Sequence, residues 1–277
     1  MWKQKMCLAV SQGFKMSIPE QIRMFKQIGF DGFFTEYTNH EDAAEQRKVA
    51  DETGMIFQSI HAPYTKMNQM WTENAEVAVA ELIDCVHVCA ENNVPIMVTH
   101  TFIGFNDHEP NEMGLENFGK VVAEAEKCGV KVAFENTEGI EYFTAVMERF
   151  KDCPNVGFCW DTGHEMCYNH SQDLMALYGD KLIATHLNDN LGIRDFEGNI
   201  TYIDDLHLLP FDGVADWQNI VDRLNAYGYN DVLTFELGRI SKPKRHENDF
   251  YEEMSIEKYL TLAYARACRV ATMKMKK

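Results

Sequence analysis

Short apolar runs alternate with longer amphipathic segments along almost the whole chain. Eight runs have the length and apolar character of buried strands: 5–10, 32–37, 55–63, 94–100, 130–136, 156–161, 181–189 and 231–237. Eight other segments follow the helical period: 17–29, 40–54, 75–93, 116–129, 140–150, 171–180, 214–228 and 255–273. This strict alternation predicts parallel strands joined by helical crossovers.

The number of units favours a closed barrel over an open sheet. Eight units in 277 residues leave about 35 residues for each, which suits a (β/α)8 barrel. A doubly wound open sheet is the main alternative, but the stretch SQGFKMS (11–17) after the first run has one glycine where a dinucleotide-binding turn has three. No linker-like or low-complexity stretch divides the chain. We therefore predict an α/β protein with a single TIM-barrel domain over residues 1–277.

Composition narrows the range of partners and locations. Apolar residues make up 45% of the chain and charged residues 25%, as in ordinary globular proteins. The net charge of −17 disfavours nucleic acid and anionic membranes as partners. The eight cysteines form no C-x-x-C pair, which favours reduced thiols in a cytoplasmic protein. We expect neither a signal peptide nor a membrane span, because no apolar run is long enough.

Potential metal ligands stand at or just beyond the ends of the predicted strands. They are His61, His100, Glu135, Asp161, His186 and Glu236 at the ends, and His164, Asp205 and His207 just beyond. In a (β/α)8 barrel, the C-terminal ends of all strands open onto one face, so these side chains are expected to converge there. An open sheet would instead spread them along an edge.

Each of these residues also has an ordinary structural interpretation. A lone histidine is often a hydrogen-bonded core residue, a lone glutamate often caps the next helix, and Asp161 before Thr-Gly could form an Asx-turn. Their occurrence together changes the balance. Three carboxylates and a histidine would form a dense buried cluster, and buried like charges are costly unless a cation neutralises them. The pattern therefore predicts a metal centre.

Six motifs carry a resemblance to a known superfamily. In chain order they are HAPY (61–64), FEN (134–136), DTGH (161–164), HLNDN (186–190), DLHLLPFDGVADW (205–217) and FE (235–236). As an ordered set they resemble the xylose-isomerase-like barrels, from about residue 5 to residue 240. That superfamily includes sugar-phosphate isomerases and epimerases, inosose-processing enzymes, a dehydroshikimate dehydratase and the endonuclease IV repair enzymes.

The resemblance implies one of two metal sites. In the epimerase branch, the matching positions Glu135, Asp161, His186 and Glu236 hold one divalent metal. Three carboxylates and one histidine form an oxygen-rich site that favours Mn²⁺, with Mg²⁺, Co²⁺ or Zn²⁺ as alternatives. Glu135 and Glu236 then lie on opposite sides of a ketose and exchange a proton through a metal-stabilised enediolate.

In the endonuclease branch, five further ligands complete a three-zinc site. They match His61, His100, His164, Asp205 and His207, and all five are present. The ligand set therefore does not separate the branches. The net charge and the first loop do, because the endonuclease opening has a His and a Gly-Gly where this chain has Gln12, Gly13 and Phe14.

Further residues bear on the substrate. The basic stretch SKPKR (241–245) follows the eighth predicted strand and is either a solvated loop or an anion site, since barrel phosphate sites often use the loops after strands seven and eight. His164 would bind substrate oxygens or a second metal. Arg194 would stabilise an oxyanion or lie on the surface. Glu36 and Trp71 are candidates for the pocket lining.

We expect a metal-dependent isomerase or epimerase acting on a small sugar or sugar phosphate, in a homodimer or homotetramer. The alternatives are a dehydratase or lyase on the same metal scaffold and an endonuclease IV-like trinuclear zinc phosphodiesterase.

Overall fold

Eight parallel strands form a barrel in the computed structural model, which describes residues 3–106, 109–192 and 200–275. The strands are β1 (Met6–Ala9), β2 (Gly32–Glu36), β3 (Ile56–His61), β4 (Ile96–Thr99), β5 (Lys131–Glu135), β6 (Val156–Asp161), β7 (Leu182–His186) and β8 (Leu233–Phe235). Neighbours follow the order β7-β6-β5-β4-β3-β2-β1-β8. Each predicted strand is present, and each lies inside its predicted run.

The barrel closes between β7 and β8, just beyond the end of β7. Leu187 and Phe235 form an isolated parallel bridge. The Leu187 amide donates to the Thr234 carbonyl at 2.8 Å, and the Glu236 amide donates to the Leu187 carbonyl at 3.2 Å. The prediction of a single (β/α)8 TIM barrel is confirmed, and the open sheet is excluded because its edge strands would not meet.

Helices cover the outside of the barrel. Within the described residues they are α1 (Ile18–Ile28), α2 (His40–Thr53), α3 (Glu76–Glu91), α4 (Glu112–Cys128), α5 (Ile140–Arg149), α6 (Thr162–Cys167), α7 (Leu174–Tyr178), α8 (Trp217–Ala226), α9 (Asp249–Glu252) and α10 (Ile256–Thr272). Short 3₁₀ turns occupy Gln12–Phe14, Met67–Trp71 and Gly179–Lys181. The short helices α6 and α9 were not predicted.

Capping residues account for the helix boundaries. Ser17 accepts a hydrogen bond from the Glu20 amide, the Glu20 side chain returns to the Ser17 amide, and α1 stops at Gly29. Helix α4 begins four residues earlier than predicted, because the Asn111 side chain accepts from the Gly114 amide and caps it there.

The strand alternation places the candidate ligands inside the barrel. A layer of mostly small apolar side chains fills the interior: Ile96, Val98, Ala133, Cys159 and Ala184. Glu135, Asp161 and His186 each stand two residues beyond a member of this layer, and side chains two apart point to the same face of a strand. The polar residues therefore form the next layer up, at the C-terminal mouth.

The expectations for the thiols and for membrane spans can also be compared with the structure. All eight cysteines are free thiols. In the described part of the chain, none of the helices is both long and apolar enough to cross a bilayer.

Candidate active site

Nine of the ten candidate residues converge at the C-terminal mouth of the barrel, in three groups. The central group is Glu135, Asp161, His186 and Glu236; the first histidine group is His61, His100 and Glu135; the second histidine group is His164, Asp205 and His207. Within each group, the potential ligand atoms lie within 4.8 Å of one another. The tenth candidate, Arg194, lies outside the described residues. Glu135 belongs to the central group and to the first histidine group, so these two groups are continuous.

Three potential ligand atoms lie close together in the first histidine group. The Nε2 atoms of His61 and His100 are 3.1 Å apart. The Glu135 Oε2 atom lies 3.1 Å from the first and 3.2 Å from the second. His61 Nδ1 lies 2.9 Å from the Ala62 carbonyl, so the ring proton belongs there and Nε2 presents a lone pair. These three atoms are placed to share a proton or a metal ion.

The central group is arranged around His186. Its Nδ1 atom lies 2.8 Å from Glu135 Oε1 and 3.1 Å from Glu236 Oε2. The imidazole ring stacks on Phe34, with 4.5 Å between ring centroids and 14° between planes, which fixes the ring orientation. The two glutamates that the resemblance assigns to proton transfer are therefore neighbours of one imidazole nitrogen.

The second histidine group is joined through Asp205. His207 Nε2 lies 2.8 Å from Asp205 Oδ2, and His164 Nε2 lies 3.6 Å from Asp205 Oδ1. His164 connects this group to the others, because its Nδ1 atom is 3.7 Å from Glu135 Oε1 and 3.9 Å from Asp161 Oδ1.

Backbone carbonyls orient three of the four histidines in the two histidine groups. His164 Nδ1 lies 3.0 Å from the Asn136 carbonyl, and His207 Nδ1 lies 3.2 Å from the Glu236 carbonyl. With the Ala62 carbonyl on His61, three rings are held by Nδ1 and turn Nε2 towards the cluster. Metal-binding histidines are commonly oriented by such a bond from the other ring nitrogen.

Asp161 both ends β6 and begins α6. Its Oδ1 atom accepts from the His164 amide at 2.7 Å, which is the N-cap bond of that helix. Its Oδ2 atom accepts from the Asn188 amide group at 2.9 Å. The Asn136 side chain exchanges two hydrogen bonds with the Asp161 backbone, at 2.8 and 2.9 Å. The turn-forming and ligand interpretations of Asp161 are thus compatible.

Asn136 and Asn188 were not predicted as site residues. Both stand directly after or near a predicted ligand, in FEN and HLNDN, so the motifs contained the signal. Their role is to hold Asp161, which spacing alone does not reveal.

Burial and mutual charge shift the pKa values in the cluster. Burial raises the pKa of the Asp161 carboxyl to about 6, with Glu135 and Glu236 adding to the effect. Burial would lower the pKa of His207, but Asp205 and Glu236 outweigh it and raise the pKa to about 9.

The pKa values of His100, His164 and His186 are shifted in different directions by their surroundings. Burial lowers the pKa of His100 to about 4, helped by the nearby His61 and His164. Burial also acts against the charged forms of His164 and His186, but the surrounding carboxylates raise the pKa of both rings. Without a bound cation, protons on these two rings and on His207 therefore balance the carboxylates at neutral pH.

The donor set fits divalent metal ions. Each of the three groups combines histidine nitrogens with carboxylate oxygens, which are common ligands of Zn²⁺ and Mn²⁺ in proteins. The Asp205 Oδ1 atom is buried without a hydrogen bond from the described residues, although buried carboxylate oxygens normally have a partner. These residues therefore form candidate metal-binding clusters.

A cavity of about 480 Å³ opens beside the cluster, between the ends of β1, β2 and β8. Glu236 and His207 form its boundary with the cluster. The side chain of Glu236 is 26% exposed, whereas that of Glu135 is 1% exposed. A small molecule in this cavity therefore meets Glu236 before Glu135.

Of the two residues expected to line the pocket, Glu36 and Trp71, one lines this cavity and the other does not. Glu36 lines the cavity, as expected. Trp71 is buried elsewhere, where its Nε1 atom donates to the Thr101 carbonyl at 2.8 Å. Trp71 does not line this cavity.

Comparisons with known proteins agree with this architecture. A family model described as xylose isomerase-like TIM barrel matches residues 22–255. An uncharacterized protein of Sinorhizobium fredii, y4fM, is 31% identical over 165 residues, which are 56% of this chain and 50% of that protein. The chain thus spans about half the length of this curated relative.

Solved structures share the fold over nearly the whole chain. A D-psicose 3-epimerase with D-tagatose from Clostridium cellulolyticum H10 is 16% identical, with a TM-score of 0.73 over 98% of this chain and 100% of that one. A 3-keto-D-glucoside 4-epimerase from E. coli is 18% identical, with a TM-score of 0.69 over 96% and 100%. At these identities the likeness establishes the barrel.

Proposed function

Because this chain belongs to the xylose isomerase-like TIM barrel family, we propose that it is a divalent-metal-dependent isomerase or epimerase of a small sugar. The observation that carries the proposal is the central group beside a cavity of about 480 Å³ that Glu236 lines. A cavity of this size accepts a monosaccharide. The two structural neighbours named above are sugar epimerases by name, which supports the same reaction class.

Glu135, Asp161, His186 and Glu236 would hold the metal, with Mn²⁺ as the proposed ion. When bound, a divalent cation supplies Lewis acidity that polarises a ketose carbonyl and acidifies the adjacent C–H bond. Glu236 faces the cavity and is placed to take that proton onto a carboxylate oxygen.

Glu135 would return a proton to the enediolate of the sugar. Its side chain is buried close to Glu236, and both carboxylates contact His186 Nδ1, at 2.8 and 3.1 Å. If the proton returns to the other face of the same carbon, the product is an epimer. If it returns to the neighbouring carbon, the product is an aldose. The two outcomes require the same groups.

Deuterium exchange tests this proposal. Mn²⁺-loaded protein is incubated with D-tagatose or D-allulose in D₂O, and deuterium at the carbon beside the carbonyl is followed by NMR. We expect exchange and a rearranged sugar with the wild type, and neither with Glu236→Gln. Glu116→Gln, on the exposed face of α4, is the matched control and should behave as wild type.

Two results would refute the proposal: no exchange with any ketose, or exchange that survives Glu236→Gln. Net loss of water from the sugar, seen by mass spectrometry, would instead support the dehydratase alternative.

A second candidate function rests on the two histidine groups. They bring five more potential ligands beside the central group, and Glu135 joins the first of them to it. This arrangement suits a trinuclear zinc phosphodiesterase of the endonuclease IV type. Elemental analysis separates the candidates, because one metal per chain supports the isomerase and three zinc ions support the phosphodiesterase. In the second case, cleavage of abasic-site DNA is the direct assay.

A further inference from the structure

Four cationic side chains follow β8 at the mouth of the barrel, and two of them, Arg239 and Arg245, are committed to the fold. Arg239 donates to the backbone carbonyls of Tyr251, Glu252 and Met254. Lys244 is exposed and does not line the cavity. The predicted anion site at 241–245 is therefore not one basic surface.

Arg245 is committed as well. Its guanidinium donates to the Ile203 carbonyl at 3.2 Å and contacts Asp204 at 3.4 Å and Glu247 at 3.7 Å. The side chain is only 9% exposed. Arg245 ties the loop after β8 to the segment before Asp205, which is a structural role.

Lys242 differs from these neighbours. Its side chain is 26% exposed and lines the cavity of about 480 Å³. Among the described residues, the carboxylate recorded near its ammonium is Asp205, with 3.7 Å between Nζ and Oδ2. That distance is too long for a hydrogen bond, and Oδ2 is already 2.8 Å from His207 Nε2. The ammonium protons thus remain available to a ligand.

The backbone of Lys242 is held in place. Its amide donates to Glu247 Oε1 at 2.7 Å, and the preceding Ser241 amide donates to Glu252 Oε1 at 2.9 Å. The side chain is therefore presented to the cavity from an anchored loop. A partly desolvated ammonium that donates no hydrogen bond to a described residue, with its nearest carboxylate oxygen at 3.7 Å, is able to bind an anion directly.

We propose that Lys242 binds an anionic oxygen group of the substrate, a phosphate monoester or a carboxylate carried at the end of the sugar away from its carbonyl. This inference rests on the proposed function and names its substrate class. A chain with a net charge of −17 repels anions at long range, so a local cation is needed to capture one.

The charges around the cavity also orient such a substrate. Glu36 ends β2, two strands away from β8 around the barrel, and its carboxylate lines the same cavity. An anionic group is repelled there and attracted to Lys242. Glu36 can instead accept hydrogen bonds from sugar hydroxyls. The anionic end therefore lies against the loop after β8 that carries Lys242.

Matched substrates and variants test the inference. Exchange rates in D₂O are compared for a ketohexose, its 6-phosphate and the ketose bearing a 6-carboxylate, using Mn²⁺-loaded wild type, Lys242→Gln, Lys242→Arg and Lys244→Gln. For Lys242→Gln we expect kcat/KM to fall on the order of 10- to 100-fold for the preferred anionic substrate, mainly through KM. The neutral ketose should change by less than about twofold, within the range of a surface substitution.

Lys242→Arg should recover part of the loss, and Lys244→Gln should resemble wild type. The better of the two anionic substrates identifies the group. Equal kcat/KM values for neutral and anionic sugars in the wild type would overturn the inference. So would an equal loss of kcat/KM in Lys242→Gln and Lys244→Gln. Either result would leave the isomerase proposal intact.

A binding measurement keeps the two proposals separate. If no sugar exchanges, the proposed function fails, and inorganic phosphate binding is then measured by calorimetry on the same four proteins. Weaker phosphate binding in Lys242→Gln than in Lys244→Gln would still support an anion site. Identical phosphate affinities would refute it.

Discussion

Asp189 organises the loop that carries the second histidine group, and its substitution gives a sharp test of the structure. Its Oδ1 atom accepts from the amides of Asn190 and Ala215 at 2.8 and 2.9 Å. Its Oδ2 atom accepts from the Phe211 amide and from Trp217 Nε1, both at 2.8 Å. The residue is fully buried. Four donors thus converge on one carboxylate.

The consequence reaches the site through Leu208. The amide of each of Asp189 and Leu208 donates to the carbonyl of the other at 2.9 Å. His207 is the residue before Leu208, so the segment that presents its imidazole is fixed to the end of β7. We expect Asp189→Asn to disturb both stability and metal retention.

The magnitude follows from the four bonds. An asparagine can keep two of them through its one carbonyl oxygen, but its NH₂ group then faces two N–H donors. Each buried donor left without an acceptor costs about 1–3 kcal/mol, so two cost about 2–6 kcal/mol. That is a large part of the roughly 5–15 kcal/mol by which folded proteins are stable.

Urea unfolding of metal-free protein, followed by fluorescence and circular dichroism, measures this loss. Asp222→Asn is the control, because Asp222 is exposed on α8 and accepts one bond, from Gln218. It should lie within about 0.5 kcal/mol of wild type. If Asp189→Asn unfolds within that same margin, the four bonds do not carry the loop and the reasoning is wrong.

Two further predictions concern packing and metal binding. Gly114→Ala should destabilise the protein by about 1–3 kcal/mol or more in thermal unfolding, because the new Cβ would lie 1.9 Å from Trp71 Cε3. Gly119→Ala in the same helix is the control. Its Cβ would meet its first neighbour at 3.9 Å, so this substitution should be neutral or stabilising. Metal uptake at pH 7 should release protons and become tighter as the pH rises, because the pKa of His186 is raised above its usual value and the ring must lose its proton to bind; calorimetry in two buffers of different ionisation enthalpy measures this, and uptake without proton release would contradict it.

The barrel was predictable because its strands are buried on both faces. The run 156–161 has the bounds of β6 itself, since every residue of that strand is buried and the apolar pattern stops where the chain meets Asp161. The same logic predicted the meeting of the ligands. Once the strands are parallel and the barrel is closed, residues such as Glu135 and His186 must share one end.

Other features depend on contacts that local sequence does not encode. The groups that donate hydrogen bonds to Asp189 come from 22 to 28 residues further along the chain, apart from Asn190. Likewise, the sequence SKPKR suggests one basic cluster. Only the fold shows that Arg245 is paired with carboxylates while Lys242 lines the cavity. Long-range pairing decides which charges are left for a ligand.

The wall of the cavity, more than the metal ligands, decides between the candidate functions. The three groups at the mouth contain every ligand that either an isomerase or a trinuclear phosphodiesterase would use. Their side chains are largely buried, so a substrate meets chiefly Glu236 and the residues around it. On that wall, Glu36 repels a phosphate backbone. Arg239 and Lys242 also line it, but Arg239 donates to three backbone carbonyls, whereas the Lys242 ammonium makes no hydrogen bond to a described residue. Such a wall suits one terminal anion on a small molecule, since a polyanion needs several cations along its length.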